Sequence, residues 1–138
     1  MSALERRLEA YLLRVRDAFD WAQNNCCQWA ARWVTEVEGI DPMAGAPATP
    51  TPFAARRLIR HLGGIEAAIT HSLQRQPLPG VAFAAVGDVV LYQWSAARRR
   101  HLSVGLCNGR TSVLIDDAGA TLHVSTLSCT HAWRVAPQ

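Results

Sequence analysis

The residues best suited to chemistry are a cysteine and two histidines. Cys26 immediately precedes an apolar pattern of helical spacing that includes Ala30, Trp33 and Val37, so we expect it in the first turn of a helix. Backbone N–H groups at a helix start have no intrahelical partners and carry partial positive charge, so a thiol there ionises more readily. Cys26 is therefore a candidate nucleophile. A thiol that is simply buried in the core is the alternative, since cysteine is among the most buried residue types.

A thiol nucleophile needs a base within hydrogen-bond reach, usually a histidine held by a third polar group. Strand alternation in residues 101–107 puts His101, Ser103 and Cys107 on one face and only aliphatic residues on the other. We expect the aliphatic face to be core and the small, polar face to receive the helix N-terminus. On the later strand, His123 is expected to stand beside the same polar face.

Length and composition indicate a compact protein of one domain. The chain has 138 residues, of which 49% are hydrophobic and 18% charged, which argues against disorder. The net charge of +3 is too small to indicate nucleic-acid binding. Much of that charge comes from Arg98, Arg99 and Arg100, which we interpret as a solvated loop, with binding of an anionic partner as the alternative.

Several further classes are excluded by the sequence. The first 20 residues carry charges throughout, so we expect no signal peptide and synthesis in the cytoplasm, and no stretch is long enough to span a bilayer. Four cysteines without a C-x-x-C pair, and five dispersed histidines, favour neither a zinc site nor a disulfide framework. No metal or organic cofactor is expected.

Hydrophobic periodicity predicts an α+β fold with helices first and strands second. The first helix is predicted over residues 3–18, and its apolar stripe packs on the domain or covers a partner. Later helices are predicted from Asn25 or Cys26 to near Gly39, over 52–61 and over 64–73, with a proline-rich loop at 41–52. The predicted strands are those of an antiparallel sheet: 86–92, 101–107, 111–115, 121–125 and 132–135.

Three stretches, in this order, resemble the motifs of the NlpC family of papain-like cysteine peptidases. The family pattern is W-G-x-x-D-C at a helix start, then G-D-L/V-V-x-F/Y on one strand and H-V-G-I-x-x-G on the next. The corresponding stretches are FDWAQNNC at 19–26, GDVVLY at 87–92 and SVGLCNG at 103–109. The resemblance spans residues 19 to about 125 and is closest to uncharacterised phage-encoded relatives found among tail genes.

The resemblance implies a papain-like fold in which Cys26, rather than Cys27, is the counterpart of the nucleophile. Ser103 stands where the family has its base histidine, and a serine cannot act as that base near neutral pH. His101 would then have to be brought to the thiol by a bulge or register shift, with His123 orienting it or acting in its place. Two smaller departures are Asn25 for the usual Asp and Ala22 for the usual Gly.

The implied organisation is a single NlpC-like domain over 1–138, with an N-terminal amphipathic helix at 1–20, a helical part at 21–80 and the sheet at 81–138. The implied function is that of a mainly structural tail-tip or baseplate component, located in the virion tail, whose partners are other phage tail proteins. The alternative is a peptidoglycan endopeptidase acting during genome entry. A cytoplasmic thiol amidase or transferase unrelated to phage is a third class, because fold does not fix function.

Overall fold

The computed structural model describes residues 2–14, 25–80, 83–96, 98–115 and 121–137, with backbone alone at strand positions 94–96 and 99–101. In this part of the chain, helices come first and an antiparallel sheet follows, which confirms the predicted α+β fold. The helices are α1 (Ala3–Arg14), α2 (Cys26–Glu38), α3 (Pro52–His61) and α4 (Ile65–Leu73). The strands are β1 (Val89–Ala96), β2 (Arg99–Cys107), β3 (Thr111–Ile115), β4 (Thr121–Ser125) and β5 (His131–Trp133), in the spatial order β4-β3-β2-β1-β5.

Helix α2 has clear signals at both ends. The Asn25 side chain caps its N-terminus, and Gly39 ends it in the left-handed conformation with φ 77°. Between these caps, the apolar face buries two tryptophans, Trp29 and Trp33, against the sheet. The Trp33 indole N–H donates to the Gly87 carbonyl oxygen at 2.8 Å, which joins the helix to the chain just before β1.

Helix α1 packs on the domain through its apolar stripe. Leu8 and Tyr11 are buried, and the Tyr11 hydroxyl donates to the Trp29 carbonyl oxygen of α2 at 2.5 Å. Of the two alternatives for this stripe, packing on the domain is therefore the one that its described part adopts. The other members of the predicted stripe are the half-buried Leu4 and Leu12, and Val15 and Phe19, which lie outside the described residues.

The β1–β2 hairpin is longer than predicted. Arg99 and Arg100 belong to β2 and pair with Ala96 and Ser95, and Arg98 takes the turn with φ 62°. The interpretation of all three arginines as loop is wrong for these two, because ladder hydrogen bonds use the backbone and tolerate charged residues at a ribbon end. At the other end, β1 starts three residues later than predicted, after a turn at residues 86–87.

Both faces of the central strands β1 and β2 are buried, so one expectation is wrong. Val104 and Leu106 of β2 face the core shared with α2, as alternation requires. The opposite face, however, is not an open polar surface, because Cys107 lies in a second cluster beneath residues such as Leu78 and Cys129. Gly105 lies on this face, where neighbouring atoms of β3 leave no room for a Cβ atom. Helix α2 packs on the aliphatic face instead.

The C-terminal segment is fixed by two buried carboxylates. Asp88 accepts hydrogen bonds from the Val135 backbone N–H and the Arg134 guanidinium, both at 3.1 Å. Glu38, at the end of α2, accepts one from the Ala136 backbone N–H at 3.2 Å. These contacts tie α2, the start of β1 and the chain end together. None of the described helices is long and apolar enough to cross a membrane.

Candidate functional site

Cys26 is the first residue of α2, as predicted. Asn25 and Gln28 form a reciprocal cap. The Asn25 Oδ1 accepts from the Gln28 backbone N–H at 2.9 Å, and the Gln28 Oε1 accepts from the Asn25 backbone N–H at 3.0 Å. This cap fixes the backbone of the first turn and with it the direction of the Cys26 side chain. The preceding motif residues, 19–24, lie outside the described residues.

Two adjacent free thiols, rather than one, occupy the helix start. Cys26 and Cys27 are both half-buried and pack against the main core. The Cys26 sulfur accepts a hydrogen bond from the backbone of Val104 in β2 and another from the Cys27 thiol. The thiol of Cys26 therefore contacts the middle of the strand that the sequence singled out.

The two thiols have opposite acidities. The hydrogen bond from Cys27 is the largest influence and lowers the pKa of Cys26 to about 7, against burial, which raises it. The Val104 backbone and the helix-start N–H groups lower this pKa further. The hydrogen bond to Cys26 and burial raise the pKa of Cys27 well above its ordinary value. Near neutral pH a large share of Cys26 is therefore thiolate, while Cys27 stays a thiol.

No described side chain of the strand β2 places the expected histidine base beside the Cys26 thiolate. Ser103 pairs with Tyr92 and alternates with Val104, so it lies on the face of the sheet away from α2. His101 pairs with Trp94 and lies two residues before Ser103, so its backbone position belongs to the same alternating set as that of Ser103. The side chain of His101 lies outside the described part of the structure, so its role as base stays a prediction.

His123 lies on the edge strand β4, where it pairs with Val113 and is exposed. Strand β3 separates β4 from β2, which puts two strand spacings, roughly 10 Å, between His123 and the strand that Cys26 contacts. This is well beyond hydrogen-bond reach. The structure does not bring His123 and Cys26 together.

Another histidine has the carboxylate partner that a catalytic base needs, and sequence reasoning missed it. The His131 Nε2 lies 3.1 Å from a Glu66 carboxylate oxygen, and its Nδ1 lies 3.3 Å from the Thr130 hydroxyl. However, β5 is separated from β2 by β1, so this pair also lies about two strand spacings from the strand that Cys26 contacts. The sequence did not predict this pair because α4 and β5 are far apart in the chain.

Within the described side chains, the site combines a nucleophile with no histidine among the groups that act on its pKa. A thiolate at a helix start, with backbone N–H groups beside it, can attack a carbonyl carbon and hold the resulting oxyanion. Turnover also requires a group that protonates the leaving amine. Within the described residues, no group of three or more His, Cys, Asp or Glu side chains is placed to hold a metal ion.

The fold and site define a class: an α+β protein in which a vicinal thiol pair begins the helix that packs on a five-stranded antiparallel sheet. The chain belongs to the family described as a domain of unknown function, DUF6950, whose model matches residues 1–135. Searches of curated proteins and of solved structures gave no match.

Proposed function

We propose that the chain is a mainly structural component of a phage tail tip or baseplate, built on an NlpC-like scaffold without a working histidine base. The observation that supports a missing catalytic activity is the position of Ser103. This serine occupies the position of the base in the resembling motif and lies on the sheet face opposite α2. A thiolate without a proton donor for the leaving amine does not turn over an amide.

The tail context is supported by the resemblance of residues 19–125 to phage tail-associated relatives. In this context the protein resides in the virion and binds other tail proteins through its outer surfaces. Because the described part of α1 packs on the domain, these contacts are assigned to the proline-rich loop at 41–52 and to α3, which has no buried residue.

Mass spectrometry of purified particles tests this proposal directly. The chain is expected among the virion proteins of the phage that encodes it, and particles carrying Cys26→Ala should assemble with normal yield. Absence of the chain from purified particles would remove the tail hypothesis. Loss of infectivity in Cys26→Ala particles that assemble normally would instead indicate that the thiol acts chemically.

The second candidate is an active peptidoglycan endopeptidase, which the lowered pKa of Cys26 favours. In that case the Cys26 thiolate attacks the amide carbonyl carbon of a peptide crosslink, and the thioester forms as the C–N bond breaks. The leaving amine takes its proton from a histidine, and water later hydrolyses the thioester.

Incubation with purified peptidoglycan separates the two candidates. The structural proposal predicts that the wild-type protein and Cys26→Ala release the same background of peptide fragments. Ser103→His, which restores the family residue, is expected to give no gain because position 103 faces away from the thiol. Release by the wild type that is lost in Cys26→Ala would establish the enzyme.

A further inference from the structure

Helix α3 packs on the core only through partly buried side chains such as Ile59, and it borders a groove. None of its residues is buried, although its sequence is amphipathic. A groove of about 540 Å³ runs between one side of this helix and the preceding loop, where it is lined by Pro47 and Ala48. The helical side of the groove is formed by residues at i, i+3, i+4 and i+7 spacing: Ala54, Arg57, Leu58 and His61.

The groove is basic and its charges are uncompensated. Arg57 and Arg60 line it, and the sequence has no acidic residue between Asp41 and Glu66. In the described part of the structure, neither arginine forms an ion pair. Arg14, Arg75 and Arg134, in contrast, each contact a carboxylate. The groove therefore presents cationic groups whose hydrogen-bond donors are available to a ligand.

Apolar surface lies beside these charges. Phe53 is 67% exposed, and the Arg57 guanidinium lies over its ring at 5.8 Å from the centroid. Leu58 is half-buried on the groove wall. Exposed aromatic and aliphatic groups next to unpaired arginines are the composition typical of protein interface centres.

We propose that this α3 groove binds an acidic segment of a partner protein, with carboxylates on Arg57 and Arg60 and an apolar side chain against Leu58 and Phe53. Charge complementarity selects an acidic ligand, and the concave, partly apolar shape fits a single chain segment. A flat bilayer needs a projecting apolar face instead, and a nucleic acid needs a longer row of cations with stacking aromatics. The proposal does not depend on the chemistry of Cys26.

Binding of a model peptide tests this assignment. The probe is a short fluorescein-labelled peptide of alternating glutamate and leucine, and its control has glutamine in place of glutamate. We expect saturable binding of the acidic peptide that weakens with added salt. Arg57→Glu/Arg60→Glu should lower the affinity by about tenfold or more. Amide chemical-shift changes should concentrate at residues 47–49 and 54–61.

The matched control is Arg98→Glu/Arg110→Glu, which makes the same change in net charge at exposed positions outside the groove. It is expected to keep the affinity within about twofold. Equal loss in both double variants, equal binding of the glutamine peptide, or no shift changes in the groove at millimolar peptide would overturn the proposal. So would stronger binding by an anionic lipid vesicle or a DNA oligonucleotide at the same residues.

Discussion

At the scale of single residues, the central feature is a thiolate stabilised by a second thiol. Cys26 owes its acidity mainly to the hydrogen bond from Cys27, and secondarily to backbone groups of α2 and β2. Low thiol pKa values are often taken to indicate catalysis, but here hydrogen bonds from a neighbouring thiol and from the backbone already lower the pKa of Cys26.

Removal of the Cys27 thiol should therefore raise the pKa of Cys26. In Cys27→Ala the hydrogen-bond donor is lost while burial remains, so alkylation of Cys26 by iodoacetamide at pH 7 should slow by about tenfold or more. Cys27→Ser keeps a donor and should retain most of the lowering. The rate is measured by mass spectrometry of the peptide that contains Cys26.

The control for this experiment is Cys129→Ala, which removes a thiol buried in the other cluster. Its pH profile for Cys26 should match that of the wild type. A Cys27→Ala profile that also matches the wild type would show that the thiol pair does not set the acidity of Cys26.

At the scale of elements, the close approach of β3 to β2 explains the glycine on the face that the sequence presented as polar. A Cβ atom at Gly105 would overlap the Leu114 side chain and the Val113 carbonyl oxygen. The glycine is therefore required by the approach of the neighbouring strand, and no ligand is needed to explain it.

Gly105→Ala should destabilise the protein by about 3 kcal/mol, because the added methyl group must displace β3 or bend β2. Ser103→Ala, on the same face of the same strand, should change the free energy of unfolding by about 0.5 kcal/mol or less. Urea denaturation measures both. Similar effects of the two substitutions would contradict the packing described for this face.

Much of the element pattern was predictable from the sequence because its signals are local. The Asn25 cap, the Gly39 end and the apolar face of α2 lie within one short segment, and α2, α3, β3 and β4 match their predicted ranges closely. The second buried face was not predictable. This face is buried because Leu78 and Cys129 pack on it from distant segments of the chain. The alternation of residues along one strand cannot predict which distant segments pack on that strand.

The candidate site was predictable only in part, for the same reason. The position of Cys26 follows from local helix signals. Whether Ser103 faces the thiol depends on which face of the sheet α2 packs on. The effect of Cys27 on the pKa of Cys26 depends on a hydrogen bond between adjacent side chains. The His131–Glu66 pair joins residues far apart in the chain, and no local pattern reveals it.

At the scale of the whole molecule, Asp88 is the point where separate segments meet. It is fully buried and accepts hydrogen bonds from the backbone N–H groups of Ala85 and Val135 and from Arg134. Burial raises the pKa of Asp88, while these donors lower it. Since the pKa in the folded state lies above that in the unfolded state, this carboxyl contributes less stability as the pH rises from about 4.

Asp88→Ala should cost about 2–4 kcal/mol, because it leaves two backbone N–H groups and a guanidinium without this acceptor. Glu36→Ala, which breaks only the exposed Arg14–Glu36 ion pair, should cost about 1 kcal/mol or less. Denaturation measures the difference, and hydrogen exchange should show loosening at residues 134–136 in Asp88→Ala alone. Equal costs for the two variants would refute this anchoring role.

The measurement that tests the account most directly is the pH profile of Cys26 alkylation in the wild type, His101→Ala and His123→Ala. If the thiolate is stabilised by Cys27 and backbone N–H groups without a histidine, all three profiles should have a midpoint near pH 7. An upward shift of the midpoint by one pH unit or more in His101→Ala would contradict the account. Such a shift would mean that an imidazolium pairs with the thiolate and that the site retains the elements of a cysteine peptidase.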